Sequence, residues 1–150
     1  MAFLAKPVVV SIAINARPDR VWAVVADLEQ QPLWMTDALE VRVTTGKPHG
    51  PGTRAIVPTR IVGITLEDAI EVTAWEPPNL LAVRHTGKFF SGDARISIEP
   101  AGAGSQVVWE EDLRPPLGIA GRVALWFGRP ILRRQFTADL ARLKALAEAR

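Results

Sequence analysis

The sequence has no cysteine and no tyrosine. The first absence excludes disulfides, thiolate nucleophiles, cysteine-bound zinc and iron–sulfur clusters. The second removes any phenol as proton donor. Only two histidines occur, His49 and His85, so a three-histidine metal site is impossible. No metal or cofactor site is expected. There is no Gly-x-Ser-x-Gly elbow, phosphate loop or dinucleotide fingerprint; Ser91-Gly92-Asp93 and Gly102-Ala103-Gly104 read as turns. No run of 18 apolar residues is present, so no transmembrane helix is expected. The opening apolar run is cut by Lys6 and Pro7 and lacks a cleavage site, which makes the cytoplasm the expected location.

What is present is apolar and unevenly charged. Hydrophobic residues make up 48% of 150 residues, enough for one folded domain spanning 1–150. The net charge of +2 hides a division. Residues 1–113 carry ten basic and fourteen acidic side chains, and residues 114–150 carry eight basic and two acidic. The basic tail reads as a solvated helix face or a weak contact with anionic lipid or an acidic partner. Its arginines, Arg122, Arg129, Arg133, Arg134, Arg142 and Arg150, form no compact run, so nucleic acid is not an expected partner.

Periodicity orders the elements. Val8, Val10, Ile12 and Ile14 alternate as a strand. Pro18 and Asp19 suit the start of a helix whose stripe is Val21, Val24, Val25 and Leu28. Gln31-Pro32 ends or kinks it, and Trp34 follows near a second short helix. About six strands come next with no helix between them, which implies an antiparallel meander. Pro58 suggests an edge or a bulge. His49-Gly50-Pro51-Gly52 and Pro77-Pro78-Asn79 read as turns. The tail is helical: Gly118, Gly121 and Gly128 weaken its first half, Pro130 is expected to break or kink it, and Phe136, Leu140, Leu143 and Ala147 form its apolar face. Only the helices can cover one sheet face, giving a two-layer α+β domain. A long helix across a curved sheet leaves room for a ligand.

Several pieces in this order carry a resemblance. They are Pro18-Asp19-Arg20-Val21-Trp22, then Asp27, Pro32 and Trp34, then Gly50-Pro51-Gly52-Thr53. The stretch Glu71-Val72-Thr73-Ala74-Trp75-Glu76-Pro77-Pro78-Asn79-Leu80 follows, then Val107-Val108-Trp109 and Leu140-Ala141-Arg142-Leu143-Lys144. Over residues 8–148 the chain resembles the START-like (Bet v 1-like, SRPBCC) superfamily, nearest its polyketide cyclase/dehydrase and lipid-transport group. The resemblance implies a helix-grip fold: a seven-stranded antiparallel sheet wrapped around a long C-terminal helix, with two short helices after strand 1. It also implies a cavity for lipids, sterols or polyketides. It supplies no catalytic motif, and no catalytic residue is carried over.

Strand phase selects the inward polar groups. Asp68 shares a face with Leu66, Ile70, Val72 and Ala74; His85 with Leu81 and Val83; Glu111 with Val107, Trp109 and Leu113. A turn at Pro77-Pro78-Asn79 sets His85 opposite Ile70 or nearby, diagonal to Asp68. Asp68, His85 and Glu111 are therefore candidates for the polar end of the cavity, as a general base or as groups orienting a carbonyl. They read equally as rim groups, since a bulge would turn any of them outward. Phase and the resemblance together suggest a lining of Val57, Ile70, Val83, His85, Ile96, Trp109, Phe127, Phe136 and Leu140. Residues 117–127 read as core packing, as a mobile lid hinged at Pro130, or as an interfacial membrane segment with Trp126 and Phe127 beside Arg122 and Arg129. The expected function is binding of a small hydrophobic, lipid- or polyketide-like ligand by a monomer or homodimer without stable membrane insertion. An aromatase/cyclase/dehydrase-type enzyme is the alternative, and an interaction protein using the basic helix is the third.

Overall fold

A computed structural model describes residues 6–61 and 63–149. Residues 1–5 of the opening apolar run and Arg150 of the basic tail therefore lie outside the described residues. The chain runs β1 (Val8–Ile14), α1 (Pro18–Val25), a 3-10 turn (Leu28–Leu33), β2 (Arg42–Val43), β3 (Arg54–Ile61), β4 (Ile64–Glu76), β5 (Leu80–Thr86), β6 (Ser91–Ala101), β7 (Gly104–Leu113) and α2 (Gly118–Glu148). The strands form one antiparallel sheet ordered β1-β7-β6-β5-β4-β3-β2. Sequential neighbours pair, except that β1 closes onto β7. This is the helix-grip architecture.

Alternation selects the inner face, where Val8, Val10, Ile14, Ile96, Ile98, Val107 and Trp109 are buried with α1 and the second half of α2. Trp34 is fully buried and meets the Trp109 ring edge-on at 5.8 Å. Phe136 stacks on Trp109 at 4.5 Å. Trp22 and Trp75 form a second edge-on pair at 5.3 Å. At the far end of α2, Glu148 accepts a hydrogen bond from the Asn15 backbone at 2.7 Å.

Three local expectations change. The β4–β5 register shifts between Val72 and Ala74, so the inward phase passes from Val72 to Trp75 and not to Ala74. A bulge adds one residue to one strand and reverses every face beyond it. Pro130 does not break α2, which is continuous from Gly118 to Glu148. Pro130 sits on the exposed side of the helix. Core packing of residues 117–127 against the sheet is also overturned, because Leu117, Ile119, Val123 and Phe127 are exposed.

Candidate functional site

Asp68 on β4, His85 on β5 and Glu111 on β7 are brought together. His85 pairs with Ile70 in register, which sets Asp68 on the diagonal. Its Nδ1 lies 2.9 Å from both carboxylate oxygens of Asp68. Its Nε2 lies 3.3 Å from Glu111 Oε2. That approach is an ion pair without hydrogen-bond alignment, so His85 Nε2 and Glu111 Oε2 are buried with no hydrogen-bond partner. The other Glu111 oxygen accepts from the Trp109 indole N–H at 3.1 Å.

The contact between His85 and Glu111 spans an entire strand. β5 and β7 are separated by β6, roughly 10 Å centre to centre. The β6 residues between them on the inner face are Gly92, paired with His85, and Ala94, paired with Glu111. With nothing larger than a methyl group there, the two side chains reach across. Gly92 has φ of 120°, and a Cβ would stand 2.0 Å from the Asp112 carbonyl oxygen, so glycine is required on both counts.

Electrostatics fixes the state of the histidine. Burial opposes the charged ring, but the hydrogen bond to Asp68 and the proximity of Glu111 outweigh it and raise the pKa from 6.5 to about 10. At neutral pH His85 is thus an imidazolium. In that form it can donate a hydrogen bond through Nε2.

Two acids that periodicity misses lie close by. Asp139 on α2 is fully buried, and its Oδ1 accepts from the Thr36 hydroxyl at 3.0 Å, the Thr36 backbone N–H at 3.3 Å and Arg142 at 3.3 Å. Burial pushes its carboxyl above the usual range. Asp37 is half-buried in the loop before β2. Burial, then the charges of Asp139 and Glu111, raise its pKa to about 6. The Asp37 carbonyl accepts from Arg60 N–H at 2.8 Å, which pins the loop to β3. Thr36, Asp37 and Asp139 belong to a loop and a distant helix, so only a three-dimensional arrangement unites them. The one available hint is an aspartate at position 139 between apolar Phe136 and Leu140.

The expected lining divides. Val57, Ile70, Ile96, Trp109, Phe136 and Leu140 are joined in one buried core, with Val83 half-buried against it. Phe127 is a correction: it is 76% exposed, on the side of α2 that faces away from the protein. Phase and the resemblance place it in the lining, but it stands half a turn from the inward face, whose stripe in that half is Gly121, Leu125, Gly128 and Leu132, all only half-buried. His49 lies elsewhere, 6.2 Å from the Trp75 ring, beside a surface depression of about 330 Å³ lined by Trp22, Leu28 and Trp75.

Comparison with known proteins agrees with this architecture. An uncharacterized protein of Mycobacterium tuberculosis is 30% identical over 147 residues, covering 94% of this chain and 83% of its own. A structure from Thermus thermophilus superposes with a TM-score of 0.81 at 19% identity, covering 95% of this chain and 97% of that one. A START superfamily protein from Mycobacterium smegmatis gives 0.71 at 15% identity, with 96% and 95% covered. The di-domain ARO/CYC of the steffimycin biosynthetic pathway gives 0.74 at 13% identity, with 97% of this chain and 52% of that one covered. These structures share the fold. The family model described as polyketide cyclase / dehydrase and lipid transport matches residues 7–148, and the chain belongs to that family.

Proposed function

We propose that this protein binds a small hydrophobic ligand, lipid- or polyketide-like and bearing a hydroxyl or carbonyl oxygen, between the inner sheet face and α2. The observation that carries the reading is the buried ion pair of His85 Nε2 and Glu111 Oε2, 3.3 Å apart, in which neither atom has a hydrogen-bond partner. An unsatisfied buried donor and acceptor cost free energy that a suitable ligand recovers. A ligand hydroxyl satisfies both, accepting from the imidazolium and donating to the carboxylate. The apolar remainder of the ligand lies toward the first half of α2. There the inward stripe is half-buried, while the second half of the helix interdigitates with Trp109.

Titration with 2-naphthol and with naphthalene, which differ by one hydroxyl, tests this. The wild-type protein is expected to prefer the naphthol by about tenfold or more, as hydrogen bonds to charged groups allow. His85→Gln is expected to erase that preference while still taking up naphthalene. Equal affinity of the wild-type protein for the two probes, or binding of neither, overturns the reading.

A further inference from the structure

The exposed apolar side chains gather at one end of the molecule. Ile61 faces Ile64 at the β3–β4 tip, Thr86 faces Ser91 across the β5–β6 loop, and Gly92 faces Leu113 where β7 ends. Antiparallel registers therefore bring these three connections to the same end of the sheet. Each carries an exposed hydrophobic residue: Ile64 at 63%, Phe89 at 60% and Leu117 at 82%. From Leu117 the ridge continues along the outward side of α2 through Ile119, Val123, Phe127 and Ile131, one every fourth residue. The turns at the opposite end, residues 77–79 and 101–104, hold no exposed large hydrophobic residue.

Charge accompanies the ridge. Residues 114–138 contain five arginines and no acidic residue. Two of these are engaged within the fold: Arg114 lies near Asp93 and Asp112, and Arg129 donates to the carbonyls of Lys6 and Pro7. Arg122, Arg133 and Arg134 are exposed beside the ridge, and Arg60 and Lys88 are exposed near the two strand tips. An apolar surface made by three separate connections and the outward side of α2, and ringed by cations, is complementary to a flat anionic apolar interface. A second copy would present the same positive charge and be repelled. No described helix is long and apolar enough to cross a membrane, so the contact is peripheral.

We propose that this end docks on an anionic lipid bilayer. Phe127, Ile119 and Phe89 sit at headgroup depth, and Arg122, Arg133 and Arg134 meet lipid phosphates. The contact does not depend on the ligand reading above. Co-sedimentation with phosphatidylcholine vesicles, with and without phosphatidylglycerol, tests it on the full chain. Binding is expected only with phosphatidylglycerol and is expected to weaken as salt screens the charges. Phe127→Asp is expected to lower the partition coefficient more than tenfold and Arg133→Glu about fivefold, with unchanged Tm. Four outcomes overturn the proposal: equal binding to neutral vesicles, no binding, indifference to both substitutions, or a dimer in light scattering that Phe127→Asp dissociates.

Discussion

The two halves of α2 share one unbroken backbone and differ in what they touch. From Phe136 onward the apolar stripe of Phe136, Leu140, Leu143 and Ala147 is buried against the sheet and α1. Before Leu132 the inward stripe is half-buried and the larger apolar residues point outward. One half is held by interdigitation with Trp109, the other by Arg129 on the carbonyls that precede β1. Hydrophobic content is similar in both, so composition does not say which half is core. What separates them is whether a partner surface stands opposite.

The sharpest way to break this comparison is truncation in each half. Leu140→Ala removes a fully buried side chain and is expected to cost about 3–4 kcal/mol in chemical denaturation. Phe127→Ser in the outer half is expected to change stability by less than about 0.5 kcal/mol. Comparable losses in both would mean that the outer half packs as core in solution.

The second test addresses the polar cluster on the sheet. His85→Gln leaves Asp68 and Glu111 buried without their cation, with an expected cost of about 3 kcal/mol at neutral pH. Folding raises the His85 pKa from 6.5 to about 10, so the folded chain keeps a proton that the unfolded chain sheds. The stabilisation is complete below about pH 6.5 and is lost as pH rises through about 10. The variant is expected to lack that alkaline decline in a pH series of denaturation midpoints. A variant that keeps the full decline would mean another group titrates there.

The smallest effect belongs to Asp37. Its carboxyl keeps a proton up to about pH 6 that the unfolded chain loses near 3.8, so stability falls as pH rises from about 4 to about 6. Asp37→Asn is expected to gain stability relative to wild type between about pH 4 and 6 and to hold a constant advantage above it, about 1 kcal/mol once solvent screening is allowed for. A constant difference across that range would place the strain elsewhere.

These residues show what the sequence makes legible. Alternation in β4, β5 and β7 is strong, and each phase is set by near neighbours. Asp68 is placed by Ile70 and Val72 on its own side of the bulge, so the shift at Val72/Ala74 misplaces Ala74 without touching Asp68. Asp37 and Asp139 are illegible for the opposite reason. Neither belongs to an alternating pattern, and the Thr36–Asp139 contact joins residues 103 apart in sequence. The outer half of α2 misleads because periodicity reports a stripe without reporting what, if anything, lies against it. Phe127 belongs to the stripe of Ile119, Val123 and Ile131, all of it exposed with no described surface opposite.

Gly92 bears on how such a cluster is found. It contributes no functional group, yet it and Ala94 form a window in the sheet through which groups on non-adjacent strands meet. A search ranked by chemical type passes over both positions. The inner face of β6 is thus a spacer, and the smallness of Gly92 and Ala94 is as much a condition of the cluster as the titrating groups themselves.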